Sequence, residues 1–426
     1  MSQAKAASVA IPPLFEGRWT ALPEGVKETD PTRLPLGFRA GGVAAGIKPS
    51  GKLDFGVIVC DEAQTTSAAR FTSSSAPAPP VEVCRTRVKL DSIRAVVVNS
   101  GNANAATGPI GRDNAYYMQG AAALICRAEP EQVAVASTGV IGVQLNTRDL
   151  AKGASAVSRV LTAAGAVDFA NAIMTTDLWP KLATVRVELS GGPVLLAAQA
   201  KGAGMIAPMH VPHATLLAFV ETDAKIDAAT ADRLLGAAVR RSFDRVTVDA
   251  QLSTNDSVFL LASGASGVSA EGGSDDEAKL QAALDALLKG LAISIVRDGE
   301  GAGRIGRINV TGGDAALCEK TARAIADSPL VKTALGGGDP NWGRIIQAAG
   351  MALATGKPEA IDITIEGVEV ASHGIANQFD AAALERAVSG KEVEYMVRIP
   401  GEGREATVYF SDLGHDYVTL NAEYTT

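Results

Sequence analysis

The sequence predicts an α/β (α+β) protein of stacked sheets covered by helices. Short apolar runs such as Ile93–Val98 (RAVVV after Ile93) alternate with longer amphipathic stretches throughout the chain. Val185–Ser190 and Val194–Gln199 alternate in polarity around Gly191-Gly192, the pattern of a hairpin. Hydrophobic residues make up 47% of 426 residues and charged residues 20%, enough to fill two domains or one large layered body.

Composition excludes several classes. Aromatic residues are only 4%, so the core must be rich in Ala, Val, Leu and Ile. A net charge of −8 argues against nucleic acid as a partner and against a basic membrane face. Cys60, Cys84, Cys126 and Cys318 are scattered without a CxxC pair and read as free thiols of a reducing compartment. No apolar stretch reaches the ~18 residues of a membrane span. The N-terminal residues lack a basic region followed by an apolar core, so no secretory signal is expected and the compartment is cytoplasmic.

In chain order, the Pro-rich residues before about 35 read as loop, and glycine-dense Gly37–Gly46 as a turn, with a backbone anion site as the alternative. Leu53–Cys60 and Ile93–Val98 are strands, the second with the continuous apolar character of a strand buried on both faces. An Asn- and Gly-dense segment, 99–108, precedes a helix capped near Asp113. Val133–Ala136 is a short strand running into Ser137-Thr138-Gly139. A hydroxyl and a backbone N–H just past a buried strand are the materials of an oxyanion hole, although an ordinary turn looks the same. A helix is expected from Thr147 to about Gly165. Beyond the hairpin, Asp227 caps a helix, and residues 264–275 form an exposed loop. A long helix then delivers Glu300 on a glycine-flanked loop, where a solvated turn carboxylate is the plain reading. Strands at Ile305–Val310, Ile361–Ile365, Tyr395–Pro400 and Ala406–Phe410 alternate with helices, one of them at Ala315–Ala326. The stretch Gly336–Arg344 is expected as a loop, and the end of the chain as a tied-down strand.

Between these halves lies Lys201–Asp223. A glycine-broken turn and two prolines lead to Ala214-Thr215 and an apolar run. A self-cleaving precursor needs a small residue, then a threonine, then a strand. The threonine hydroxyl attacks the preceding carbonyl, and the α-amine released becomes the base for that hydroxyl. An ordinary strand start has the same local sequence.

Nine motifs in order make the chain resemble the ornithine acetyltransferase (glutamate N-acetyltransferase) family: VVNSGNANAATG at 97–108, STGVIG at 137–142, MTTDLWPK at 174–181, KGAGMIAP at 201–208, ATLLAF at 214–219, STND at 253–256, DGEG at 298–301, GDPNWGRI at 338–345 and NAEYTT at 421–426. The resemblance implies an αββα sandwich with a second, smaller α/β region. It implies self-cleavage between Ala214 and Thr215 into an α-chain 1–214 and a β-chain 215–426, and αβ units assembled as α2β2 or larger. Thr215 falls on the family's nucleophile, Thr138 and Gly139 on its oxyanion hole, and Thr175, Thr176, Lys201, Glu300, Asn421 and Thr426 on its substrate-binding pattern. The implied activity moves an acetyl group from N2-acetylornithine to glutamate, a step of arginine biosynthesis, with amino-acid substrates and without metal or organic cofactor. Acetyl-CoA is an alternative acetyl donor in some relatives.

The chain departs from the family in two places. Met209-His210-Val211-Pro212-His213 lengthens the approach to Ala214 by about three residues, as a longer tail or as histidines at the acyl pocket. At 249–256, DAQLSTND stands where the family tends toward DGDTSTND. These changes keep open an amidohydrolase or aminopeptidase-like enzyme, or an acyltransferase with other substrates. A non-catalytic relative kept for assembly is the third reading.

Overall fold

The computed structural model describes residues 11–207, 216–401 and 403–423. Among them the chain forms three sheets and eleven helices. A six-stranded sheet runs in the order Val26–Thr29, Lys181–Leu189, Gly192–Lys201, Leu217–Thr222, Ser257–Ala262, Thr66–Phe71. A four-stranded sheet runs Phe38–Val43, Phe55–Cys60, Ala95–Asn102, Val133–Val140.

Alternation along one strand shows how the layers stack. Ala218 and Val220 join the core shared with helices Ala228–Arg241 and Asp275–Arg297, whereas Leu217 and Phe219 join the core that holds the four-stranded sheet and its helices. Successive side chains of a strand point to opposite faces, so a strand buried on both sides must be apolar throughout. Helices thus cover the outer face of each sheet and the inner faces meet, an αββα sandwich. Six of the chain's ten phenylalanines lie in the core around the four-stranded sheet, at 38, 55, 71, 169, 219 and 259. Phe219 meets Phe169 edge-on at 5.0 Å and stacks on Phe259 at 5.8 Å, so large rings fill the middle layer of an otherwise small-residue core. Burying such a ring contributes about 1.5–3 kcal/mol.

The expected second region is the seven-stranded sheet built mainly from Ile305–Thr311, Asp362–Ile365, Val368–Ser372, Glu392–Arg398 and Glu405–Ser411. It has its own core against helices Ala315–Ala326, Pro329–Gly337 and Trp342–Leu353. Helix Asp275–Arg297 joins the two bodies. Ser274 caps its start by accepting the Glu277 N–H at 3.1 Å, and its far end places Asp298 and Glu300.

Five expectations change. Gly37–Gly46 is not a turn: Phe38–Val43 is a strand paired with Phe55–Cys60. Its glycines serve packing, since a Cβ on Gly42 would lie 2.2 Å from the Asp168 carbonyl oxygen of helix Ala166–Ile173. The helix expected at Asp113 begins at Gly108, and the one expected at Thr147 stops at Val157, before the separate helix Ala166–Ile173. Part of Gly336–Arg344 belongs to helices. Ser328 accepts the Val331 N–H at 3.4 Å and Pro329 fills the first turn, so a helix runs to Gly337. The last described residues form helix His415–Glu423 where a strand is expected; Thr419 and Asn421 side chains donate to the carbonyls of His415 and Tyr417, four residues back.

Candidate active site

The site assembles where strands of both sheets end. In the four-stranded sheet, Ala95–Asn102 runs parallel to Val133–Val140 with Gly101 opposite Gly139. Gly139 has φ +132°, and a Cβ there would lie 2.3 Å from the Gly101 carbonyl carbon, so only glycine fits this crossing. The asparagine-rich segment holds the turn. Ser137 Oγ donates to Asn99 Oδ1 at 2.6 Å, Asn99 Nδ2 to the Asn102 carbonyl at 2.8 Å, and the Asn104 N–H to Asn102 Oδ1 at 2.7 Å. All four side chains are buried, and satisfied buried amides fix a backbone where apolar residues would let it slide.

In the six-stranded sheet, Lys201 ends its strand beside Leu217. The Leu216 carbonyl accepts the Ser257 N–H at 2.9 Å, so the chain emerging from Thr215 enters the sheet next to Lys201. Lys201 is buried and its Nζ donates to Thr138 Oγ1 at 3.2 Å. That contact joins the two sheets at two of the residues the sequence singles out. Ala214, Thr215, Thr426, His210 and His213 lie outside the described residues.

Thr175 and Thr176 are half-buried in the segment before strand Lys181–Leu189. The Thr175 N–H reaches Asp177 Oδ2 at 2.9 Å, and Asp177 Oδ1 accepts the Gly202 N–H at 2.7 Å, which brings the threonine pair to the end of the Lys201 strand. Glu300 closes the opposite side. Its N–H donates to the Ala203 carbonyl at 2.9 Å, and its carboxylate sits 2.6 Å from where a Cβ on Gly204 would be. Asn421 Nδ2 donates to Glu300 Oε2 at 3.0 Å, so the terminal helix reaches the site.

Sequence reasoning named neither Asp177 nor Asp298 as a site residue. Both lie on Lys181, whose Nζ is 2.7 Å from Asp177 Oδ1 and 2.5 Å from Asp298 Oδ2, with all three side chains fully buried. Their signal was present in MTTDLWPK and DGEG, but Pro180 removes the helix that would have made Asp177 and Lys181 an obvious pair. Lys48 was also missed. It packs against Gly101, donates to the Leu53 carbonyl at 2.7 Å, and burial lowers it to about 8.

Burial is the largest influence on the site's charges. It lowers the Lys201 pKa, opposed by the carboxylates of Asp177, Asp256 and Glu300. It works to raise Asp177, but Lys181 and Lys201 outweigh it and hold that carboxyl well below the usual range. Burial lifts Asp298 to about 6 against the pull of Lys181, and pushes Asp256 well above its ordinary value. The altered 249–256 stretch braces the site. Asp249 accepts the N–H groups of Met205 and Ile206 at 2.6 and 2.9 Å, and Asn255 Nδ2 donates to the Ala103 carbonyl at 2.6 Å. Among the described residues no group of three or more His, Cys, Asp or Glu could share a metal ion, and no helix is long and apolar enough to cross a membrane.

Residues 39–426 match the ArgJ family. Over 393 residues the chain is 42% identical to the arginine biosynthesis bifunctional protein ArgJ of Nitratidesulfovibrio vulgaris, covering 92% of this chain and 98% of that one. It is 41% identical over 406 residues to the Synechocystis protein of the same name, covering 92% and 97%. A solved structure, ornithine acetyltransferase complexed with ornithine from Mycobacterium tuberculosis, is 34% identical and covers 43% of this chain and 98% of the solved one, with a TM-score of 0.40.

Proposed function

The chain belongs to the ArgJ family, and on that premise we propose that it is a glutamate N-acetyltransferase acting through a Thr215 acyl-enzyme. The observation that carries this reading is the Lys201–Thr138 contact beside the entry of the Leu217 strand, where a nucleophile, an oxyanion hole and a carboxylate-binding cation would have to meet.

Maturation comes first. Thr215 Oγ attacks the Ala214 carbonyl, the acyl group shifts from nitrogen to oxygen, and water hydrolyses the ester. The products are an α-chain 1–214 and a β-chain 215–426 with a free amine on Thr215. That amine then takes the Oγ proton as Oγ attacks the acetyl carbonyl of N2-acetylornithine. The oxyanion is met by the Thr138 hydroxyl and the Gly139 N–H. Because Lys201 donates to Thr138 Oγ1, the Thr138 hydroxyl hydrogen is left free to point at the oxyanion. One such donor is worth about 3 kcal/mol in the transition state. Ornithine departs with the proton, glutamate enters, and its amine takes the acetyl group by the reverse steps.

Lys201 suits a substrate carboxylate and Glu300 the ornithine side-chain ammonium. Thr175, Thr176, Asn421 and Thr426 complete the substrate contacts. No cofactor enters the cycle, and the relatives' description as bifunctional supports acetyl-CoA as a second acetyl donor. The assembly is α2β2 or larger, in the cytoplasm.

Denaturing electrophoresis of purified protein should give two bands that become one in Thr215→Ala; a single full-length band for the unmodified protein sinks the mechanism. In single turnover, N-acetylornithine should release ornithine rapidly and acetate slowly, with N-acetylglutamate appearing once glutamate is added. Acetate released equally fast without glutamate would instead select the amidohydrolase reading, in which water takes the acyl group.

A further inference from the structure

We propose that Asp177 is a positioning residue that fixes the Thr175-Thr176 segment to the Lys201 strand and holds the Lys201 ammonium charged for substrate. The inference rests on the reading of Lys201 as a substrate-binding cation. The geometry is a three-way clamp. Asp177 Oδ2 takes the Thr175 N–H at 2.9 Å, while Oδ1 takes the Gly202 N–H at 2.7 Å and Lys181 Nζ at 2.7 Å. Lys181 in turn binds Asp298 Oδ2 at 2.5 Å, and Asp298 accepts the Leu178 N–H at 3.1 Å. One buried carboxylate therefore ties two substrate-binding segments together, and through Lys181 reaches the loop that carries Glu300.

The charges give Asp177 a role beyond bracing. Lys201 is buried, and burial by itself favours the neutral amine, which could not hold a carboxylate. The charged groups facing it are Asp177, Asp256 and Glu300, which favour the ammonium, and Lys181 and Lys48, which oppose it; the Thr138 hydroxyl completes the shell. Asp177 stands beside Lys201 through its bond to the next backbone N–H, that of Gly202, at 2.7 Å, and its charge favours the ammonium. Lys181 presses the other way, so its removal must have the opposite sign from removal of Asp177.

That sign difference is the test. KM for N-acetylornithine is measured from pH 6 to 10 (about the range of a shifted lysine) in the processed wild-type protein, Asp177→Asn, Lys181→Met and Lys201→Arg. Asp177→Asn should raise KM about 10-fold with a smaller change in kcat, and should move the upper-pH climb of KM downward by about one pH unit. Lys181→Met should move the same climb upward. Lys201→Arg should flatten it, since a guanidinium does not titrate in this range. A purely structural clamp would raise KM in both variants without opposite shifts, and that result overturns the proposal. If Asp177→Asn fails to fold, Lys181→Met decides alone: an upward shift supports the proposal, and none or a downward one overturns it. If both fail, the charge-conserving Asp177→Glu decides: a raised KM with an unmoved climb supports the proposal, and a downward shift like that expected of Asp177→Asn overturns it. Wild-type protein that transfers no acetyl group would instead reject the proposed function, a result visible before any variant is compared.

Discussion

The two sides of the candidate site are built differently. On one side Thr138, Gly139 and Lys201 stand at the ends of buried strands, braced by the Asn99, Asn102 and Ser137 bonds and by the buried Asp177–Lys181–Asp298 network. On the other, Glu300 sits half-buried on a loop and is met by Asn421 from a terminal helix with no buried residue. Oxyanion stabilisation depends on donors that do not move during the reaction, so it belongs on sheet ends. A contact made from a loop and a terminal helix tolerates more adjustment than one made from sheet ends. The difference teaches that, on the proposed function, the strand-end half is the part of the site that mutation should damage most.

The largest effect should come from Gly139→Ala. With φ at +132° and Gly101 in the way, the turn must shift, and with it the N–H proposed to meet the oxyanion. We expect kcat to fall by about 10³-fold with processing also impaired, read by steady-state assay and electrophoresis. Thr138→Val removes one donor and keeps the volume. Its kcat should fall by about 10²-fold while the melting temperature stays within a degree or two. On the loop side, Glu300→Gln should slow the N-acetylornithine half-reaction about 10-fold and leave the glutamate half-reaction near wild type, read by separate single-turnover experiments. Asn421→Ala loses one half-exposed hydrogen bond and should raise KM only about 3-fold. If Asn421→Ala cost as much as Thr138→Val, the contrast between the two sides would be wrong.

The smallest effect concerns stability of the sheet that carries Lys201. Glu221 is fully buried in that sheet, bonded to Gln199 Nε2 at 3.1 Å, and burial lifts it to about 8 from 4.5. A carboxyl whose folded pKa is raised binds its proton more tightly when folded. Its contribution is complete below pH 4.5 and is lost as pH rises toward 8. The melting temperature should therefore drop by several degrees between pH 5.5 and about 8.5, and by less in Glu221→Gln.

Much of this fold is legible in the sequence. The apolar run after Ile93, the hairpin around Gly191 and the capping residue Asp227 each express a local rule of period or capping, and each appears where that rule puts it. The errors share a cause. Gly42 is glycine because helix Ala166–Ile173 presses on its strand, a neighbour more than a hundred residues away that no local pattern reveals. Val418 and Thr419 suggest a strand, but the side chains of Thr419 and Asn421 bond back to carbonyls one turn earlier.

The candidate site divides along the same line. By itself the sequence nominated the candidate residues, because a threonine and glycine past a buried strand, a lysine on a glycine turn and a carboxylate between glycines carry their character in their own side chains and backbones. Only the tertiary structure decided that they meet. Lys201 and Thr138 are 63 residues apart and touch through the ends of two different sheets, and Asn421 reaches Glu300 across 121 residues. The part played by Asp177 was invisible for the same reason. A buried carboxylate acquires its role from the N–H groups and ammonium groups that long-range strand register places around it, and register between distant strands is set by packing of the whole core.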